Sequence, residues 1–201
     1  MVAVVPVEAE EAANRDVLDQ IAGELGDVGG LPAWSTSFAA IDGDGDIDFF
    51  VPGWLHWDTA EPIPSAHVFC NDGEGRFDDC SVWSGMAAHF ARQVDSSFTA
   101  TFADLDEDGA PDLLVAADYG RSEYFRGTGD GRFTSVPASA YLRIDLGMGA
   151  VVGDFNGDHH LDWFVTAAWF PGETYNSNGN RLMFGDGHGT LTDVTTTTGV
   201  G

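Results

Sequence analysis

The sequence predicts an all-β protein built from three repeats of four short strands. Three observations support this: an acidic loop that recurs three times, an apolar run directly after each loop, and a glycine-rich hairpin further along each repeat. The last aspartates of the three loops are residues 48, 112 and 162, so they lie 64 and 50 residues apart. Repeats of this length with several short strands are typical of propeller blades or a related array.

The segment before the first repeat has a different pattern. We expect a short strand at residues 2–7 and a short N-terminal helix at residues 9–25, because Val17, Ile21 and Leu25 would share one helical face. Such a helix would cover an exposed sheet edge. We therefore divide the chain into an N-terminal helical segment and linker at residues 1–33 and three blades at residues 34–201, which begin and end at about 34–86, 87–144 and 145–201.

The acidic loops have the spacing of a calcium site. In residues 104–112, four carboxylates occupy positions 1, 3, 5 and 9, and Gly109 stands at position 6, where a tight loop needs positive φ. Calcium takes about six to eight oxygen ligands, and alternate carboxylates with the backbone carbonyl at position 7 supply them. An EF-hand is excluded because position 12 is Val115 instead of glutamate. The predicted ligands are Asp104, Asp106, Asp108, Ala110 and Asp112; Asp154, Asn156, Asp158, His160 and Asp162; and Asp42, Asp44, Asp46 and Asp48.

The three loops differ in their ligand sets, which predicts an order of calcium affinity. Residues 104–112 keep all four carboxylates and the glycine at position 6. The third loop has the neutral Asn156 and places His159 at position 6, and the first loop has Ala40 where the first ligand belongs. We therefore expect residues 104–112 to bind calcium best.

Each repeat is predicted to contain four strands around its loop and hairpin. The first strand ends at the acidic loop, and the second is an apolar run without alternation, such as residues 113–117. A run of this kind suits a strand that is buried on both faces between neighbouring sheets. The third strands are predicted at residues 66–70, 123–126 and 181–184, and the fourth strands at residues 76–82, 132–136 and 190–196.

The two cysteines flank the first hairpin. If residues 72–75 form the turn, Cys80 faces His67, and Cys70 and Cys80 then lie on opposite faces of the hairpin. In that register they are too far apart for a disulfide unless a bulge intervenes. The free-thiol form is therefore favoured over the disulfide.

Two long connections between the second and third strands are candidate ligand-binding loops, at residues 52–64 and 169–180. Their aromatic rings stand beside acids and amides, which suits a sugar that needs both stacking and hydrogen bonds. The alternative is that these rings only pack the loops. His56 and Asp58 resemble an acid–base pair, but no serine, cysteine or lysine nucleophile accompanies them. The candidate ligand-binding residues are Trp54, His56, Trp57, Asp58, Trp169, Glu173 and Tyr175.

The repeats resemble FG-GAP/VCBS-type repeats, the blades of α-integrin-like β-propellers. The resemblance covers roughly residues 34–199 and is closest in residues 147–158 and 185–194. It implies a β-propeller of four-stranded blades whose first loops bind calcium. It also implies a role in extracellular adhesion, sugar binding or partner recognition, although some such modules are attached to enzymes.

Charge and composition restrict the partners. The chain of 201 residues carries a formal charge of −25 and contains no lysine. A strongly negative field disfavours nucleic acid and anionic membrane as partners, so we expect neither. The first residues lack the basic region of a signal peptide, and no stretch is apolar for long enough to be inserted in a membrane.

Three functions follow from these observations. The first is a calcium-stabilised module, extracellular or at the cell surface, that binds a glycan or a protein. The second is an enzyme or enzyme domain with its site near His56, Asp58 and Glu173, and the third is a purely structural set of blades within a larger protein. A glycan array and a panel of hydrolase and lyase substrates would separate the first two.

Three blades are also too few for closure, because closed propellers usually have about four to eight blades. An open set would expose two apolar sheet faces. Residues 1–33 could cover one of them, or the chain could belong to a longer propeller. We expect instead a homodimer that completes a six-bladed ring.

Overall fold

The protein is all-β, as predicted, with three four-stranded antiparallel sheets. The computed structural model describes residues 35–54, 66–91, 95–137, 144–168 and 178–200. Each sheet has its strands in chain order and is called a blade below. Blade 1 contains β1 (Ser37–Ala39), β2 (Asp48–Val51), β3 (His67–Asn71) and β4 (Phe77–Asp79); blade 2 contains β5 (Ser97–Ala103), β6 (Asp112–Ala117), β7 (Glu123–Gly127) and β8 (Phe133–Ser135); blade 3 contains β9 (Gly147–Gly153), β10 (Asp162–Ala167), β11 (Arg181–Gly185) and β12 (Leu191–Asp193).

The first strands of the blades are neighbours, with β5 between β1 and β9. The backbone N–H of Phe102 donates to Ser37 Oγ at 2.9 Å, and Thr99 Oγ1 donates to the carbonyl of Met148 at 2.5 Å. The blades pack face to face through two apolar cores. The core between blades 1 and 2 includes Ile41, Phe50, Val68, Leu113, Val115 and Phe125, and the core between blades 2 and 3 includes Leu105, Leu114, Tyr124, Trp163, Val165 and Met183.

The second strands of blades 1 and 2 are buried on both faces, which confirms the interpretation of their apolar runs. Every residue of β2 and β6 is buried. In β10, by contrast, Phe164 and Ala167 are half-buried and Thr166 is exposed. Blades 1 and 3 both lie at an end of the set, but blade 1 has a further buried cluster of Phe49, Val51, Phe69 and Phe77, whereas part of β10 is open.

The fourth strands are shorter than predicted. Two of them are followed by a short helix: one lies where no element was predicted, and the other begins within the predicted strand at residues 190–196. Helix α1 spans Met86–Phe90 after β4, and α2 spans Thr195–Thr198 after β12. The chain turns at these points because an aspartate accepts the N–H of the residue two positions on. Asp79 Oδ1 accepts from Ser81 at 2.8 Å, and Asp193 Oδ1 accepts from Thr195 at 2.9 Å.

Cys70 and Cys80 form a disulfide, so the free-thiol prediction is wrong. The turn contains residues 72–76 and is closed by a hydrogen bond of 3.0 Å between its first and last residues. It is one residue longer than predicted, and β3 pairs Cys70 with Asp78. A shift of one residue changes the face of every later side chain. Both cysteines therefore lie diagonally on one face, with their Cα atoms 5.9 Å apart.

Some predictions fall outside this description. The strand at residues 2–7 and the helix at residues 9–25 lie outside the described residues, and the division at residue 33 and the closure of a propeller ring stay predictions. Within the part of the chain that is described, none of the helices has the length and apolar character needed to cross a membrane.

Candidate metal centre and ligand face

The three acidic loops have left-handed backbone at the same two positions. Position 6 has positive φ in each loop, as predicted, and His159 accepts this strained conformation at φ 75°. Position 4 is also left-handed, which sequence reasoning missed because Glu107 occupies it in the second loop at φ 59°. The glycines at position 4 of the other two loops, Gly43 and Gly157, were the available signal.

The position-9 aspartates join each loop to the third strand of its blade. Asp112 is fully buried, and its Oδ2 accepts the N–H of Leu105 at 3.1 Å and the hydroxyl of Tyr124 at 2.9 Å. Its Oδ1 accepts the N–H of Gly127 at 2.9 Å. Burial raises the pKa of Asp112, and these hydrogen bonds oppose the shift.

The same bridge recurs in the other blades. Asp48 accepts the N–H groups of Ile41 at 2.9 Å and Asn71 at 2.8 Å. Asp162 accepts those of Phe155 at 2.8 Å and Gly185 at 3.0 Å. The geometry shows that these residues bridge loop and strand, and their role as metal ligands stays a prediction.

The second loop contains the described group of carboxylates best suited to a cation. One oxygen from each of Asp104, Asp106 and Asp108 lies within 4.8 Å of the other two. The donors are all carboxylates, which suit a hard cation such as calcium better than a thiolate-seeking metal. Asp112 lies outside this group. The three carboxylates of the group fit calcium, and the carbonyl of Ala110 remains a predicted further ligand.

An arginine that sequence reasoning did not single out lies against this group. Arg126 Nε lies 2.7 Å from Asp106 Oδ2. The arginine is on β7, so it connects the third strand of blade 2 to the loop. It offsets part of the carboxylate repulsion and would compete with a cation for one oxygen of Asp106.

The first loop does not bring three carboxylates together. Oxygens of Asp42 and Asp48 lie within 4.8 Å of each other and of Cys70 Sγ. Because that sulfur is in the disulfide, it is not a thiolate and adds no metal ligand. Asp44 and Asp46 follow in the same loop, and each of Asp42 and Asp44 accepts the N–H two residues on.

In the third loop the acids are engaged locally. Asp154 accepts the N–H groups of residues 157, 158 and 159, and Asn156 Nδ2 donates to Asp158 Oδ2 at 2.8 Å. His160 Nδ1 lies 2.6 Å from Glu107 Oε1 of the second loop. The side chain of His160 therefore links two blades, and its carbonyl stays a predicted ligand.

At the opposite end of the strands, Trp54 and Asp118 connect blades 1 and 2. Trp54 Nε1 donates to Asp118 Oδ2 at 3.2 Å, and the backbones of Asp118 and Leu146 of blade 3 form an isolated bridge. Asp118 is 5% exposed, and its Oδ1 has no hydrogen-bond partner among the described residues. Burial therefore raises the pKa of Asp118 to about 6, although the indole hydrogen bond opposes the shift.

The raised pKa predicts that Asp118 destabilises the fold above its titration. Between the ordinary value of 3.8 and about 6, the folded chain holds a proton that the unfolded chain releases, so stability falls as pH rises through this window. Asp118→Asn removes the buried negative charge. We therefore expect the variant to be more stable than the wild type at about pH 7.5 by on the order of 2–3 kcal/mol. Urea unfolding in a chelator checks this, and the difference should disappear near pH 4. A variant that is less stable at both pH values would contradict the interpretation.

The remaining candidate ligand-binding residues are His56, Trp57, Asp58, Trp169, Glu173 and Tyr175, and they lie outside the described residues. Of the predicted set, the structure thus places Trp54 alone, half-buried at the end of blade 1. Its partner Asp118 was missed because it stands in the short connection of the second repeat, where no ligand site was expected.

The fold and loops define a class of proteins with one acidic loop for each four-stranded blade. A family model described as an FG-GAP-like repeat matches residues 41–115 and 104–165, together more than half of the chain. The chain belongs to this family. No curated protein matches it significantly.

Among solved structures, the chain is similar to a lectin from Agrocybe aegerita that specifically recognises non-reducing terminal N-acetylglucosamine. The sequences are 19% identical, and the TM-score is 0.45. The match covers 78% of this chain and 36% of the lectin, so the chain spans little more than a third of that protein. A likeness of this degree carries no argument about the ligand.

Proposed function

We propose that the chain is a calcium-stabilised, propeller-type module that binds a ligand outside the cell. The observation that carries the metal assignment is the group formed by Asp104, Asp106 and Asp108. When bound, calcium would supply positive charge between carboxylates that otherwise repel one another. The metal then holds the loop between the first two strands of blade 2.

The disulfide supports an extracellular location. Disulfides persist in oxidising compartments, and Cys70 and Cys80 close a hairpin beside the first acidic loop. Calcium sites of extracellular modules are typically weak, with dissociation constants of about 10⁻⁴–10⁻³ M. Such sites are occupied only where calcium is abundant. The disulfide and the weak calcium site therefore both favour an extracellular location.

The ligand is proposed to bind at the end opposite the acidic loops, and a glycan is the favoured class. Trp54 and Asp118 place an aromatic ring and a buried carboxylate together at this end. The aromatic and polar residues of the two long connections would extend the surface. Aromatic rings stack on sugar faces, while carboxylates and amides bind hydroxyl groups, so this combination suits a carbohydrate.

A glycan array in the presence of calcium tests the ligand. Trp57→Ala and Trp169→Ala are expected to abolish binding while the melting temperature stays within a few degrees of the wild type. Trp83→Ala is the matched control, because Trp83 is 45% exposed, lies against Arg132 of the second hairpin and is not part of either long connection in the sequence. Loss of binding and of stability together would mean that the loop tryptophans are packing residues.

A further inference from the structure

Two junctions between blades are built in the same way. In each, a glycine in the hairpin of one blade donates its N–H to a backbone carbonyl of the preceding blade. The acceptor is the residue at position 2 of that preceding blade's acidic loop. Gly131 donates to Ile41 at 3.0 Å, and Gly189 donates to Leu105 at 3.3 Å. The side chains of Ile41 and Leu105 are each 2% exposed because the next blade covers them.

Blade 3 carries the acceptor half of this junction on its outer face. Phe155 stands at position 2 of the third loop, yet its side chain is 49% exposed, as is that of Val151 on the same face. No hairpin glycine of the described residues donates to the Phe155 carbonyl. A Cβ at Gly43 would meet the second hairpin, whereas a Cβ at the equivalent Gly157 would meet nothing within 4 Å.

Blade 1 carries the donor half. Gly75 is the hairpin glycine that corresponds to Gly131 and Gly189, and a Cβ there would meet nothing within 4 Å. Phe38 on β1 and Ile47 at position 8 of the first loop are 56% and 51% exposed on the same side of the blade. The corresponding residues of blades 2 and 3 are Phe102, Val152 and Leu161, which pack against the two cores, and Pro111, which is half-buried.

We propose that blade 1 of one copy of the chain docks on blade 3 of a second copy. The hairpin of Gly75 then covers Phe155 as the later hairpins cover Ile41 and Leu105. Phe49, which pairs with Phe38 on the face of blade 1, is already buried within the chain, as are Phe69 and Phe77. The contact is therefore confined to the positions of blade 1 that stay open, namely Gly75, Phe38 and Ile47. Because the two contact surfaces differ, a closed pair of copies forms two such junctions.

Light scattering during size-exclusion chromatography tests the proposal at micromolar concentration. We expect a mass of twice 21.4 kDa for the wild type. Phe155→Asp and Phe38→Asp should each give the single-chain mass, since each places a charge in both junctions. Val82→Asp is the control, because Val82 is 84% exposed in the turn after β4 and belongs to neither surface. Serine at positions 38 and 155 provides a milder pair if a charged variant does not fold.

Mixing the two charged variants distinguishes this contact from a symmetric one. A mixed pair has one junction in which both sides are altered and one in which neither is, so the mixture should recover the double mass at higher concentration. Recovery supports the proposal. A single-chain mass for the wild type, a series of larger masses, no effect of Phe38→Asp, or no recovery on mixing would overturn it.

Discussion

Asp112→Ala is expected to cost about 3–5 kcal/mol of unfolding free energy, a large part of the stability of an ordinary domain. The carboxylate is fully buried and accepts from Leu105, Gly127 and Tyr124. Without it, two backbone N–H groups and a hydroxyl lose their partner where water does not replace it. Urea denaturation monitored by circular dichroism gives the free energy.

Two comparisons test the reason for this loss. Asp78→Ala, on the exposed side of β4, should change stability by less than about 0.5 kcal/mol. The loss in Asp112→Ala should also persist when a chelator removes all metal, because the hydrogen bonds do not need a cation. If the variant matched the wild type in the chelator, Asp112 would act as a metal ligand alone and the bridging role would be refuted.

The bridging role of Asp112 shows how much of the candidate site the sequence could predict. The spacing of the acids predicts a loop at the end of a strand, and the positive φ at Gly109 follows from its position. The spacing does not show that Asp112 is turned toward β7, because that direction depends on Tyr124 and Gly127, which lie on another strand. Such partners become visible only once the strands are paired.

The hairpin register illustrates the same limit in the fold. The glycines locate a turn near residues 72–76, but a turn of four residues and one of five are both compatible with the sequence. One residue decides the face on which Cys80 lies, and thereby whether the disulfide to Cys70 can form. Patterns predicted three blades and their strand types correctly, whereas contacts that depend on a single step of register could not be predicted.

The contacts between blades could not be predicted from the sequence pattern either. Gly131 and Gly189 were recognised as turn residues, and their donation to the loop of the preceding blade was not. The repeat itself contained the information, because an equivalent hairpin glycine follows each loop, 27, 19 and 27 residues after its last aspartate. Interpreting it required the order in which the blades stack, which the structure supplies through the position of β5 between β1 and β9.

Removal of calcium is expected to lower the melting temperature by roughly 3–10 °C. A site with a dissociation constant of about 10⁻⁴–10⁻³ M contributes on the order of 1.4–2.7 kcal/mol at about 10 mM calcium, and about 2–4 °C accompanies each kcal/mol in a domain of this size. Differential scanning calorimetry with calcium and with chelator measures the increment. An unchanged melting temperature, with calcium binding ruled out by calorimetric titration, would refute the metal assignment.

The increment should arise mainly from residues 104–112, where three carboxylates converge. Asp108→Ala is therefore expected to remove most of it, and Asp44→Ala of the first loop to remove little. Each variant is compared with its own chelated state, so the loss of local hydrogen bonds, such as that from the Ala110 N–H to Asp108 Oδ1 at 2.8 Å, cancels. Equal losses in the two variants would show that the first loop binds calcium as well as the second. The convergence of carboxylates would then not determine affinity, and the bound cation itself would have to gather the ligands of both loops.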